Sequence, residues 1–96
     1  GYIFYLVEVL SQIGIENGLP IKDAKIMAKE TLIGSARLIE NSNIDPKILK
    51  EDVTSPGGTT EAGLQVLESK ENGLYPLLKS TINNAIKRAK RLNFEG

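Results

Sequence analysis

Six consecutive residues, Ser55-Pro56-Gly57-Gly58-Thr59-Thr60, hold most of the chemistry this sequence offers. Pro56 fixes one backbone angle and Gly57 and Gly58 permit positive φ, so the chain turns sharply where an apolar helical pattern begins at about Thr59 or Thr60. The first N–H groups of a helix have no partner within it, and the helix dipole places partial positive charge at the same end. With hydroxyls at Ser55, Thr59 and Thr60, the turn has the parts needed to hold an anion. A phosphate loop of the Gly-Lys-Ser/Thr type requires a lysine after the glycines; none is present, so a carboxylate is the better match. The same residues also describe a plain tight turn between helices, with Ser55 or Thr59 as the cap. Residue types and spacing leave these two readings level.

Elsewhere the composition removes chemistry. The chain has no cysteine and no histidine, which excludes disulfides, Cys/His metal sites, thiol nucleophiles and Ser-His-Asp arrangements. Glu30, Glu40, Glu51, Asp52, Glu61 and Glu68 are scattered and form no metal-ligand or acid–base pattern. Lys plus Arg and Asp plus Glu balance at 12 each, so no net field draws the chain toward nucleic acid or an acidic membrane. Lys87, Arg88, Lys90 and Arg91 lack interleaved aromatics and read as cations complementing the end of the last helix. Tyr2, Phe4 and Tyr5 read as core. The expected partner is therefore a small molecule or a protein, with no nucleic acid and no membrane. Apolar runs stay far below the roughly 18 residues of a membrane span, and no signal peptide is visible. With the lack of cysteine, the expected location is cytoplasmic.

The elements that must position the turn are helical. Residues 2–16 are apolar on nearly every side, which for a helix implies burial on nearly every side and, in a chain this short, burial against a second copy. Asn17-Gly18 and Pro20 end that segment. A second helix spans about Ile21 to Asn41, with Ala24, Ala28, Thr31, Leu32, Ser35 and Ile39 in one stripe and Gly34 beside it; these small residues suit the centre of a bundle. Asp45 and Pro46 give an N-cap and first position for a short third helix. A fourth runs from Thr60 to about Lys70, ended by Asn72-Gly73, and a fifth from about Pro76 to Leu92 with Leu77, Leu78, Thr81, Ile82, Ala85, Ile86, Ala89 and Leu92 on one face. The expected class is all-α, a helical bundle of about five helices in one domain over residues 1–96. The start at Gly1-Tyr2, without methionine and inside an apolar pattern, reads as a piece of a longer protein.

The run "LKEDVTSPGGTTEAGLQVLE", Leu49 to Glu68, resembles the signature of pyrroline-5-carboxylate reductase, the NAD(P)H-dependent enzyme of the last step in proline synthesis. The segments "YIFYLVEVLSQIGIENGLP" and "AKETLIGSARLIE" are similar to the first two helices of that family's C-terminal domain, so essentially the whole chain is covered. The resemblance decides between the two readings of the turn. It implies an interleaved helical homodimer, or a higher homo-oligomer, and a site for the carboxylate of 1-pyrroline-5-carboxylate. Carried over, the Ser55 hydroxyl and the backbone N–H groups of Gly58, Thr59 and Thr60 hold the carboxylate, and the Thr60 hydroxyl, the catalytic group, reaches the ring nitrogen. The nicotinamide supplies the hydride in that family, so the helical domain needs no nucleophile.

Two features depart from the family pattern. No Gly-x-Gly-x-x-Gly follows a strand and no βαβ pattern exists, so residues for the cofactor are expected to be none here, as for metals. The glycine- and serine-rich segment that normally leads into the first helix is reduced to Gly1-Tyr2. The expectation is a C-terminal dimerisation and substrate-binding domain, inactive alone, from a parent that binds NAD(P)H on an N-terminal Rossmann domain. The alternatives are a helical oligomerisation module without its own ligand, or the helical domain of a related imine- or ketone-reducing dehydrogenase.

Overall fold

The first helix, α1 (Tyr2–Glu16), ends where the sequence signals that it should. Gly18 sits at φ +100°. Its N–H donates to the Ile15 carbonyl at 3.0 Å, and the Leu19 N–H donates to the Gly14 carbonyl at 3.1 Å. This paired crossing of bonds is a Schellman cap, which satisfies the last carbonyls and redirects the chain. The Asn17 side chain adds a 2.8 Å bond to the Ile13 carbonyl. Pro20 then precedes α2 (Ile21–Glu40). The remaining helices are α3 (Pro46–Asp52), α4 (Thr59–Leu67) and α5 (Leu74–Glu95). This computed structural model describes residues 1–95, and among them there is no strand. The all-α expectation with five helical segments is met. Two units are distinguishable, Gly1–Ile48 and Leu49–Gly96, with α3 straddling the boundary.

In the first unit α1 and α2 pack as a helical hairpin. Gly14 makes the approach possible: a Cβ there would lie 3.3 Å from Ala24 Cβ and from Leu19 Cδ1. Ala24 and Ala28 are buried, and the buried Ser11 satisfies its hydroxyl by donating to the Val7 carbonyl at 2.9 Å. Only the first half of the small-residue stripe is used in this way. Leu32 is half-buried, whereas Thr31, Ser35 and Ile39 are exposed and Gly34 faces open space. The expectation that Tyr2, Phe4 and Tyr5 are core does not hold within the single chain: Phe4 is 81% and Tyr5 65% exposed.

The third helix begins as its sequence indicates, with Pro46 in first position and the Asp45 carboxylate accepting the Lys47 N–H at 2.8 Å. The fourth is shorter than expected and stops at Leu67. Its C-cap is Glu68, whose N–H donates to the Leu64 carbonyl at 2.7 Å, and Ser69 rather than Asn72-Gly73 organises the turn that follows. The Ser69 N–H donates to the Val66 carbonyl at 3.3 Å, its hydroxyl accepts the Asn72 N–H at 3.2 Å, and its carbonyl accepts the Gly73 N–H at 2.9 Å. Gly73 is buried, and a Cβ on it would run into the Ser69 and Leu67 carbonyl oxygens. It is a close-approach glycine at the start of α5, whose Leu77 N–H reaches back to the Gly73 carbonyl at 3.4 Å. The fifth helix therefore begins two residues before Pro76, which is tolerated because first-turn N–H groups need no helical partner.

At its other end α5 continues to Glu95, so Lys87, Arg88, Lys90 and Arg91 lie before the last turn, which contains no basic residue. The dipole effect fades within one turn, and their expected role as terminal cations is corrected accordingly. Within the second unit, Lys50 of α3 pairs with Glu68 beyond the end of α4 at 2.5 Å. An open apolar groove of about 760 Å³ is lined by Leu64, Leu67, Leu74, Leu78 and Ile82 among others.

Candidate functional site

The turn before α4 is built by two glycines with different tasks. Ser55 accepts the Gly58 N–H on its carbonyl at 3.0 Å. Pro56 and Gly57 occupy the corners, and Gly57 has φ +74°, the pattern of a type II turn, which asks for Pro first and Gly second. Gly58 itself is extended, with φ −86° and ψ 179°, a conformation any residue adopts. What it supplies is room, since a Cβ on Gly58 would sit 3.1 Å from the Ser55 carbonyl oxygen and 3.4 Å from Ser55 Cβ.

Gly58 is the N-cap of α4, and no side chain caps that helix end. Neither Ser55 nor Thr59 accepts the bond that the plain capped-turn reading requires. Helical pairing starts with the Ala62 N–H donating to the Gly58 carbonyl at 3.2 Å. The N–H groups of Thr59, Thr60 and Glu61 precede it and have no acceptor among the described residues. The side-chain hydroxyls of Ser55, Thr59 and Thr60 likewise make no bond among the described residues, and all three residues are exposed. The structure thus brings Ser55, Gly58, Thr59 and Thr60 together on one short turn. It also commits the Gly58 N–H to the Ser55 carbonyl, so any donation from Gly58 to a ligand would be shared.

Sequence reasoning passed over Glu61. Its carboxylate reaches back four residues and accepts the Gly57 N–H at 3.2 Å. The signal was present: an acidic residue three positions after an N-cap is the second half of a capping box. Among the described residues no salt bridge offsets it, and Lys50 is engaged by Glu68. Hydrogen bonding to that carboxylate, then its charge, raises the Lys50 pKa above the usual 10.5. Attraction for an anion therefore rests on backbone donors and the helix dipole, worth about 0.3–1 kcal/mol for an exposed charge. Such a turn orients a carboxylate and binds it tightly only when other groups close over it.

No group of three or more acidic, His or Cys side chains converges among the described residues. A dinucleotide fold places its glycine turn between a strand and a helix, whereas Gly57 and Gly58 lie between the helices α3 and α4.

Residues 1–92 match the family model described as pyrroline-5-carboxylate reductase dimerisation. The chain belongs to the pyrroline-5-carboxylate reductase family. It is 36% identical over 92 residues to pyrroline-5-carboxylate reductase 1 of Bacillus subtilis, covering 96% of this chain and 30% of that protein. It is 38% identical over 92 residues to the pyrroline-5-carboxylate reductase of Arabidopsis thaliana, covering 96% of this chain and 33% of that one. A crystal structure of the Plasmodium falciparum pyrroline carboxylate reductase with NADP bound superposes with a TM-score of 0.73 at 32% identity, over 92% of this chain and 31% of that one. The chain thus spans about a third of the length of the relatives it matches. Within this reductase family it corresponds to the dimerisation segment. Among its described residues no helix is long and apolar enough to cross a membrane.

Proposed function

We propose that the chain is the dimerisation and substrate-carboxylate-binding domain of a cytoplasmic pyrroline-5-carboxylate reductase. In its full-length form that enzyme reduces 1-pyrroline-5-carboxylate to L-proline with NAD(P)H. The observation that carries this reading is the uncapped start of α4, open at Thr59 and Thr60, inside a family match over residues 1–92.

The substrate carboxylate accepts hydrogen bonds from the Thr59 and Thr60 N–H groups and from the Ser55 hydroxyl, with Gly58 contributing a shared donor. Holding the carboxylate fixes the five-membered ring relative to α4. The Thr60 hydroxyl then meets the ring nitrogen, orients the C=N bond and supports the nitrogen as it becomes an amine. Reduction itself lies outside the chemistry of these residues, because they offer no fold for the dinucleotide. Their task is to bind and orient.

Assembly follows from the apolar surface. Ile3, Phe4, Leu6, Leu10 and Ile13 of α1 and Leu77, Leu78, Ile82 and Ile86 of α5 are exposed in the single chain. A surface of this kind is covered in a working protein, and a second copy interleaving its helices covers it.

The test is proline formation by the full-length parent with Thr60→Ala beside it. Loss of a hydrogen bond to a charged reacting group costs about 1.5–3 kcal/mol, so kcat should fall roughly 10- to 150-fold. An active parent indifferent to Thr60→Ala removes the assigned role. The exposed apolar faces alone would also suit a module that only assembles. Titrating the parent with proline while following the Thr59 and Thr60 amide resonances separates the two, since a pure assembly module leaves those amides unmoved.

A further inference from the structure

We infer that Glu61 is a positioning residue for the carboxylate site, acting through Gly57; the inference rests on the proposed role of Ser55, Thr59 and Thr60. Two successive glycines make this turn the most conformationally free part of the chain, and no side chain caps the helix that follows. Two bonds hold it. One is internal, from the Gly58 N–H to the Ser55 carbonyl at 3.0 Å. The other is the tether from the Gly57 N–H to Glu61 Oε1 at 3.2 Å, an exposed bond made by a half-buried residue on the first turn of α4. Of these two, only the second reaches from Gly57 to the helix bearing the Thr59 and Thr60 donors.

The tether also parks a charge. An acidic side chain in this position can serve the N–H groups of its own helix start, or the N–H of the N-cap as in a capping box. Here it bypasses Gly58 and reaches Gly57. The Thr59 and Thr60 N–H groups are left for another carboxylate, and the Glu61 carboxylate is engaged by the Gly57 N–H instead of by them. Without the tether, the corner loosens and the Glu61 carboxylate competes with the ligand for the same donors.

Three substitutions in the full-length reductase separate reach from charge. Glu61→Gln keeps an oxygen at the same reach and removes the charge, Glu61→Asp keeps the charge and shortens the reach, and Glu61→Ala removes both. Carboxylate contacts are made alike in the ground and transition states, so their loss appears in KM and not in kcat. KM for 1-pyrroline-5-carboxylate should rise about 5- to 10-fold in Glu61→Asp and Glu61→Ala, the size of losing one cap bond, and stay within about twofold in Glu61→Gln. In all three kcat should stay within about twofold, with unfolding midpoints within about 4 °C of the parent. Rescue by Gln and not by Asp is the signature of positioning, which a general stability role would not produce.

An unchanged KM in both Glu61→Asp and Glu61→Ala, with Ser55→Ala and Thr60→Ala impaired, overturns the role of Glu61 and leaves the site standing. Equal loss in Gln, Asp and Ala variants also overturns it, since reach would then be irrelevant. If Ser55→Ala and Thr60→Ala are themselves silent, the site reading has failed and the inference about Glu61 falls with it.

Discussion

Ser55 and Thr60 sit five residues apart on one turn, yet their loss should be felt in different constants. On the proposed reading Ser55 touches only the carboxylate, so Ser55→Ala should raise KM several-fold and spare kcat, while Thr60→Ala lowers kcat. Steady-state kinetics on the parent read the split directly. Gly57 should be the least replaceable backbone position in the turn, because an L-residue at φ +74° costs about 1–2 kcal/mol. Gly57→Ala should lower the unfolding midpoint and raise KM together, with Gly57→Asn milder on both counts. At this scale the sequence was legible where the residue type is the mechanism: Pro56 and Gly57 suit the two corners of a type II turn. Glu61 was harder to see, because its part depends on a side chain folding back on the chain, and scattered carboxylates look alike in one dimension.

Among the helices, starts and stops divide into two kinds. The end of α1 and the start of α3 use local motifs, Asn17-Gly18 and Asp45-Pro46, whose bonds lie within a few residues and which sequence alone resolves. The junction of α4 and α5 is different. Asn72-Gly73 looks like a helix stop, but α4 ends at Leu67 with Glu68 as its C-cap, and Gly73 is needed because the Ser69 and Leu67 carbonyls crowd it. Turn statistics register that a glycine is present, not which backbone passes beside it. Gly73→Ala should cost about 1–3 kcal/mol by overpacking, measurable by urea unfolding, whereas Gly34→Ala, with open space around it, should be neutral or stabilising. The Lys50–Glu68 pair adds a pH signature. Because the pair raises the Lys50 pKa, its contribution is fully present below the ordinary lysine value and is lost as pH climbs through the raised one. Lys50→Met should therefore leave the pH dependence of stability unchanged at neutral pH and flatten it only in the alkaline range.

For the molecule as a whole, what the single chain fails to bury is as informative as what it buries. Ala24 and Ala28 are the buried apolar residues among those described, and the large side chains of α1 and α5 stay exposed. The apolar first helix had suggested as much, since a helix with no polar face needs neighbours all round. A second copy was the expected neighbour; which side chains it would cover was not legible, because exposure is a property of the folded chain. The parent should sediment as a dimer or larger at micromolar concentration. Ile82→Asp should weaken association by about 2–4 kcal/mol, because the proposed interface desolvates a residue that is exposed in the single chain; a compact wild-type monomer would contradict the covered-surface argument.

The close α1–α2 hairpin, with Gly14 against Ala24 and a Schellman cap between the helices, gives folding an order in time. Its contacts are near in sequence, so closing them is fast and needs no second chain. Burial of the large apolar side chains has to wait for a collision. Refolding of the parent should thus show an early helical phase whose rate ignores protein concentration, and a later phase that speeds up in proportion to it.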